Sequence, residues 1–321
     1  MTAERELLRQ TVAALVNKRA GSEAVRAAME TERGYDEALW QLLCEQVGAA
    51  ALVVPEEFGG AGGELADAAV VLEELGKALV PSPLLGTILA ELALLATPEP
   101  DREALEQLAG GTAIGTVVVD PDYVLNGDVL DAGSVVIGAA DGRLDRWTTF
   151  TATPVSTMDP TRRLGRVTAG ETARVGADPG LADYAAILLA AEQIGAATRC
   201  LDLTVEYTKS RVQFGRPIGS FQALKHRMAD LYVAVSSARA VVDDALAAPS
   251  PASAALARIV ASEAFSTVVG EAVQLHGGIA ITWESDIQLY FKRAHGSSQL
   301  LGSPAQHLHR LEAEVFEGSV R

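Results

Sequence analysis

The sequence predicts a mainly α-helical chain with a small β domain. An N-terminal helical domain spans residues 1–109, a short middle β domain 110–180, and a C-terminal four-helix bundle 181–321. Three observations predict this. Apolar residues recur every three or four positions in both outer regions. The middle stretch is instead rich in Val, Thr and Gly, with the turn pairs Asn126-Gly127 and Asp141-Gly142. Near the C-terminal end, Phe221, Leu224, Met228, Leu231, Val235, Ala238 and Val242 alternate steps of three and four, the spacing of a helix packed lengthwise in a bundle.

Taken in order, "RELLRQTVAALVNK", "YDEALWQLLCEQVGAAAL", "ELADAAVVLEELGKAL" and "SPLLGTILAELALLA" read as the N-terminal helices. The Pro-Gly punctuated loop "VVPEEFGGAGGE" separates the second from the third, and Pro81 and Pro83 break the third from the fourth. The middle region reads as short antiparallel strands and hairpins. From Leu181 a helix runs that is apolar nearly all round in its first half, as burial on several sides requires. "AALARIVASEAFSTVVGEAVQLHGG" is a further helix closed by a Gly-Gly cap, and "ESDIQLYFKRAHGSSQLLG" and "PAQHLHRLEAEVFE" complete the region.

Composition narrows the function. A chain of 321 residues with 49% hydrophobic content can bury a large core. Its net charge of −16 argues against nucleic acid or an anionic membrane surface as a partner, so any bound phosphate requires a local cationic site. Cys44 and Cys200 lie far apart with no metal-ligand spacing, and no metal site is expected. The N-terminal stretch alternates charge with apolar residues and lacks the apolar core of a signal peptide. No stretch approaches ~20 apolar residues without a charge, so membrane insertion is not expected and a cytoplasmic location is.

Three pieces carry potential chemistry. Arg211, Gln213, Phe214 and Gly215 occupy a helix-to-helix turn, where a guanidinium and an amide can grip a phosphate and an aromatic beside glycine can lie flat on a ring. In "QLHGGIAIT", Gln274 offers a donor and an acceptor, and Gly277 and Gly278 allow another molecule close to the backbone. The third piece is the loop Val54–Gly60. Taken alone, the first two read more readily as an ordinary capped turn, and the loop is a turn and nothing more.

Together, "VPEEFGGAGG", "LEELGKAL", "TVEYTKSRVQFGRPIGSFQALKHRMADL", "AVQLHGGIAIT" and "LYFKRA" resemble the acyl-CoA dehydrogenase family, over both helical regions and only faintly in the middle. The resemblance implies an acyl-CoA dehydrogenase-like fold and FAD as cofactor. It also implies an acyl-CoA substrate, electron-transfer flavoprotein as electron acceptor, and a tetramer. In the family, the R-x-x-F-G and Q-x-x-G-G motifs hold the pyrophosphate and adenosine half of a neighbouring protomer's FAD. Carried over, Arg211, Gln213, Phe214, Gln274, Gly277 and Gly278 are the expected cofactor contacts, with Ala280 standing where the family has a final glycine.

The family's reaction requires a desolvated carboxylate to take the proton beside the thioester. Its two known positions fall here on Ala185 and Leu301, neither of which is a carboxylate. Asp183 and Glu192, on the same helix as Ala185, are the remaining candidates, and both also fit structural roles. The family's flavin-ring string in the β domain has only a faint echo in "VVVDPDY", residues 117–123.

Two readings follow. One is a base-lacking partner of a full-length paralogue in a heteromeric dehydrogenase, of the kind that resemblance links to steroid and other bulky acyl-CoA substrates. The other is a self-sufficient homotetramer with an unconventional base. A flavin monooxygenase on the same fold needs its own complete flavin site. Substrate-cavity residues are expected from Tyr184–Ala191 and Phe221–Tyr232.

Overall fold

Thr2 begins the described chain by accepting a hydrogen bond from the Arg5 amide, which caps the first helix. The computed structural model describes residues 2–317, with side chains through Ala313; residues 318–321 of the expected bundle lie outside the described residues. The N-terminal region holds α1 (Ala3–Arg19), α2 (Ser22–Met29), α3 (Glu37–Leu42), α4 (Leu65–Lys77), α5 (Leu84–Leu95) and α6 (Arg102–Ala109). The second expected helix is shorter than its periodicity suggests. α3 loosens into a π-turn over Leu43–Val47 and stops at Gly48, whose φ of 68° only glycine adopts freely. α2 and α6, each of eight residues, have too few turns to show a clear period.

Seven strands follow: β1 (Gly115–Val118), β2 (Val124–Leu125), β3 (Val135–Ala140), β4 (Arg143–Trp147), β5 (Phe150–Val155), β6 (Leu164–Ala169) and β7 (Thr172–Ala177). They form two sheets, ordered β1-β3-β4-β7 and β2-β6-β5. The expectation of antiparallel hairpins holds for β3–β4, joined by Asp141-Gly142 with both residues at positive φ, as a two-residue I′ turn requires. It fails for β1 and β3, which pair in parallel. Asn126 is also left-handed, but it leads into a 3₁₀ turn rather than a hairpin. Val118, Val124, Val136 and Val167 form a small core of their own.

The C-terminal region begins with α7 (Leu181–Ser210). A two-strand ribbon, β8 (Val212–Gln213) and β9 (Arg216–Pro217), leads to α8 (Gln222–Ala247) and α9 (Pro251–His276). α10 (Ile287–Gln299) and α11 (Pro304–Glu317) end the described chain. α9 packs against α7, α8, α10 and α11, and is the centre of the bundle. By length and composition α9 could cross a membrane, but 56% of its apolar window is buried against the other helices. On α8, Leu231, Val235, Ala238 and Val242 are buried as the heptad spacing predicts.

α7 also carries the N-terminal region on its surface. It crosses α4 so closely that an added Cβ on Gly76 would lie 2.3 Å from the Glu192 carbonyl, and one on Gly195 2.0 Å from that of Glu73. Glycine at both positions is what lets the two helices touch backbone to backbone. The junction is reinforced by Glu73, which receives Arg9 of α1 at 2.8 Å and Arg239 of α8 at 2.9 Å.

Candidate functional site

The exposed end of the bundle is built by two chain reversals. The first closes the ribbon after α7, where Gln213 pairs with Arg216 across the two-residue loop Phe214-Gly215. Phe214 has φ 54° and Gly215 φ 76°. A bulky residue in the left-handed region is strained by ~1–2 kcal/mol. The turn leaves Phe214 out in solvent, 91% exposed, its ring edge-on to Phe221 at 6.1 Å. Arg216 stacks over Phe221 at 3.9 Å. Arg211 caps α7 through its backbone, yet its guanidinium has no ion pair or hydrogen bond among the described residues. The Gln213 amide reaches only its neighbour's carbonyl, at 2.8 Å.

The second reversal ends α9. Gly277 takes φ 66° and ψ −146°, conformations reserved for glycine, and an added Cβ on Gly277 or Gly278 would meet nothing within 4 Å. Gln274 is exposed beside them. Ala280, at the family's final glycine, turns its methyl into the core and is fully buried, so it leaves that surface open.

The two reversals meet through Tyr207 and His276. Their rings stack at 4.2 Å, and the Tyr207 hydroxyl donates to the His276 carbonyl at 3.3 Å. All six residues expected to contact a cofactor therefore lie on two reversals joined side by side and facing solvent. Around them Val212, Ile281 and Trp283 are exposed by 53–75%, more apolar surface than a free helix end calls for.

Matters differ at the expected base positions. Ala185 is 3% exposed and Leu301 half-buried, and both belong to the same apolar core cluster. Leu301 sits at φ 55° in a turn locked by Arg258, a fully buried guanidinium. Arg258 donates to the carbonyls of Ser297, Leu300 (3.0 Å) and Gly302 (3.3 Å), and to Gln193 of α7 at 2.9 Å. Burial and the nearby Arg162 pull its pKa down to about 10.

Both remaining carboxylates are paired with arginines. Asp183 pairs with Arg310 at the start of α7. Glu192 lies in a buried cluster, bonded to Arg162 at 2.6 Å and to Arg293 at 2.5 Å. Arg293 also holds Asp159 at 2.7 Å and the Thr161 carbonyl at 3.0 Å. Burial alone would raise the Glu192 pKa, but the two guanidiniums outweigh it and hold the carboxylate below its ordinary value. This cluster packs the place where the three regions meet, leaving a cavity of about 20 Å³. That is room for roughly one water.

Sequence reasoning singled out none of Arg162, Arg258, Arg293 or Tyr207, and it read His276 as a structural histidine beside a turn. A signal existed for Arg258: it falls within the buried stripe Ala254, Ala257, Ala261, Phe265, where a charged residue needs partners. The 117–123 string is the end of β1 followed by a turn, in which Asp120 accepts from the Asp122 amide at 3.0 Å and Pro121 accepts from the Val167 amide of β6. Of the expected cavity stretch Tyr184–Ala191 on α7, Tyr184 is half-buried against the core and Ala185–Ala191 are packed inside it. Tyr232, expected in a cavity, is 67% exposed on the outside of α8.

Family models for the acyl-CoA dehydrogenase N-terminal and C-terminal domains match residues 2–112 and 181–315. Acyl-CoA dehydrogenase IpdE2 of Mycobacterium tuberculosis is 70% identical over 314 residues, covering 98% of both chains. The chain belongs to the acyl-CoA dehydrogenase family. Two solved structures share its fold over 99% of this chain. A variant of the Tcur3481-Tcur3483 steroid ACAD has a TM-score of 0.90 at 26% identity and 99% coverage of its own chain. The ChsE4-ChsE5 complex of Mycobacterium tuberculosis has 0.88 at 26% and 98%. Acyl-CoA dehydrogenases are FAD-dependent oxidoreductases. A guanidinium unpaired among the described residues, two unobstructed glycines and an exposed aromatic are groups whose chemistry suits an anionic dinucleotide.

Proposed function

We propose that this chain is the base-lacking subunit of a heteromeric acyl-CoA dehydrogenase, and that it lends the ADP half of the FAD site to a full-length paralogue. The observation that carries the reading is a contrast. The reversals bearing Arg211 and Gln274 are joined and open to solvent, whereas Ala185 and Leu301 fill both base positions with hydrocarbon.

In the assembled enzyme, bound FAD supplies hydride acceptance from the β-carbon of the thioester. Arg211 would neutralise pyrophosphate charge, and Gln213 and Gln274 would add neutral donors. Gly277 and Gly278 would let the dinucleotide come near the backbone, and the exposed Phe214 ring would offer it an apolar surface. The proton beside the thioester is taken by a carboxylate of the partner, since no unpaired carboxylate stands at either base position here. Electrons leave to electron-transfer flavoprotein. The steroid enzyme with this fold supports a bulky, steroid-derived acyl-CoA as substrate. Two free, buried thiols suit a reducing cytoplasm.

The test is flavin absorbance of the chain purified alone and with its co-expressed paralogue. The proposal expects a colourless chain alone and one FAD per pair. A yellow, active homomer would overturn it in favour of the self-sufficient tetramer. Arg211→Ala is expected to strip FAD from the complex while leaving the chain's circular dichroism and melting unchanged, because its guanidinium supports nothing in the fold.

A further inference from the structure

Tyr207 touches both halves of the open end at once. Its backbone carbonyl accepts the Arg211 N–H at 2.8 Å, which fixes where the arginine leaves α7. Its hydroxyl, on the same residue, reaches across to the His276 carbonyl. That carbonyl belongs to the last turn of α9, where the helix offers its own C=O groups no partner. The 276–277 peptide is thus gripped at both ends, its C=O by Tyr207 and its N–H by the Val273 carbonyl. Gly277 follows directly, so the direction in which the glycines face solvent depends on that peptide plane.

His276 is itself held fast. Its Nδ1–H donates to the Ala272 carbonyl at 2.8 Å, which fixes the ring over Tyr207 in a stack tilted by only 21°. Burial lowers the His276 pKa, opposed by that hydrogen bond, which suits a neutral ring stacked on a phenol. The partners of the two rings are each other and the two reversals.

We infer that Tyr207 and His276 form a strut that sets the spacing and angle between the Arg211 turn and the Gly277-Gly278 turn, making them positioning residues for the flavin dinucleotide of a second subunit. This rests on the reading that the open end holds a partner's FAD. The strut converts two separately flexible turns into one preorganised anion site, so its loss weakens FAD binding without touching any ligand-contacting group.

The experiment uses the co-expressed complex, stripped of flavin and titrated with FAD, with the band position of the bound flavin recorded. Tyr207→Phe keeps the stack and removes one hydrogen bond. It is expected to raise the FAD Kd about three- to tenfold, the range for one lost hydrogen bond, with the melting temperature of the flavin-free complex unchanged. His276→Ala should do the same, and His276→Phe, which restores a ring, should recover most of the affinity. Tyr207→Phe combined with Arg211→Ala should cost less than the sum of the two single variants, because the strut acts by placing the two turns relative to each other. If Arg211→Ala loses FAD while Tyr207→Phe and His276→Ala bind normally, the strut is wrong and the open-end reading stands. A fully additive double variant also removes the strut. If Arg211→Ala itself binds FAD normally, the reading falls and takes the strut with it.

Discussion

Glu91 lies on α5 fully buried, and neither carboxylate oxygen has a hydrogen-bond partner among the described residues. Burial raises its pKa well above the ordinary value. Below the unfolded value, near 4.3, both states are protonated. As pH rises past it, the unfolded chain ionises while the folded chain stays neutral, so stability falls with pH up to the raised folded value. Glu91→Leu should remove that slope and raise the unfolding free energy at neutral pH by about 1–3 kcal/mol, with little gain at pH 4. Denaturant titrations at the two pH values decide it, and equal gains at both would contradict the assignment. Glu192, equally buried, behaves oppositely: its partners depress its pKa, so its contribution is present at neutral pH and lost in acid. A sequence shows the two glutamates as the same letter in similar apolar helices. The difference is made by Arg162 and Arg293, which arrive from the loop after β5 and from α10.

At the scale of elements, the α4–α7 crossing depends on a residue that lacks a side chain. Gly195→Ala places a methyl against the Glu73 backbone and should cost about 1–3 kcal/mol by forcing the helices apart. Gly270, in the middle of α9, meets nothing within 4 Å, so Gly270→Ala should instead stabilise the chain by about 0.5–1 kcal/mol. Thermal melts of the two variants should shift in opposite directions, and shifts of the same sign would refute the close crossing. Helix periodicity announced α1, α4, α5 and α7–α9 because the signal is local and repeats over several turns. The Asp141-Gly142 turn was equally legible, since its backbone geometry demands those residue types. The parallel pairing of β1 with β3 was not, because a strand's own residues do not name its partner.

Considered whole, the molecule leaves Tyr232 and Val233 of α8 more than 60% exposed, beyond the α7–α8 ribbon that also exposes Phe214. Exposed apolar residues on a bundle face suit a subunit interface. Tyr232→Glu should prevent co-purification with the paralogue, read by light scattering on a sizing column, while leaving the lone chain's melting temperature unaltered. Normal assembly of that variant would move the interface elsewhere.

What the sequence determined by itself was the order of helical, β and helical regions, the identity of the Arg211 and Gln274 turns, and the absence of a carboxylate at positions 185 and 301. Each is a property of neighbouring residues, of backbone conformations a few residues long, or of a side chain at a known offset. The tertiary structure alone decided that the two turns, more than sixty residues apart in the chain, share one surface through Tyr207 and His276. It also decided that Glu192 and Arg258 are buried partners rather than free groups. A hydrogen bond or an ion pair needs two groups at a few ångströms, and only the packing of α7 against α9 and α10 brings those groups together.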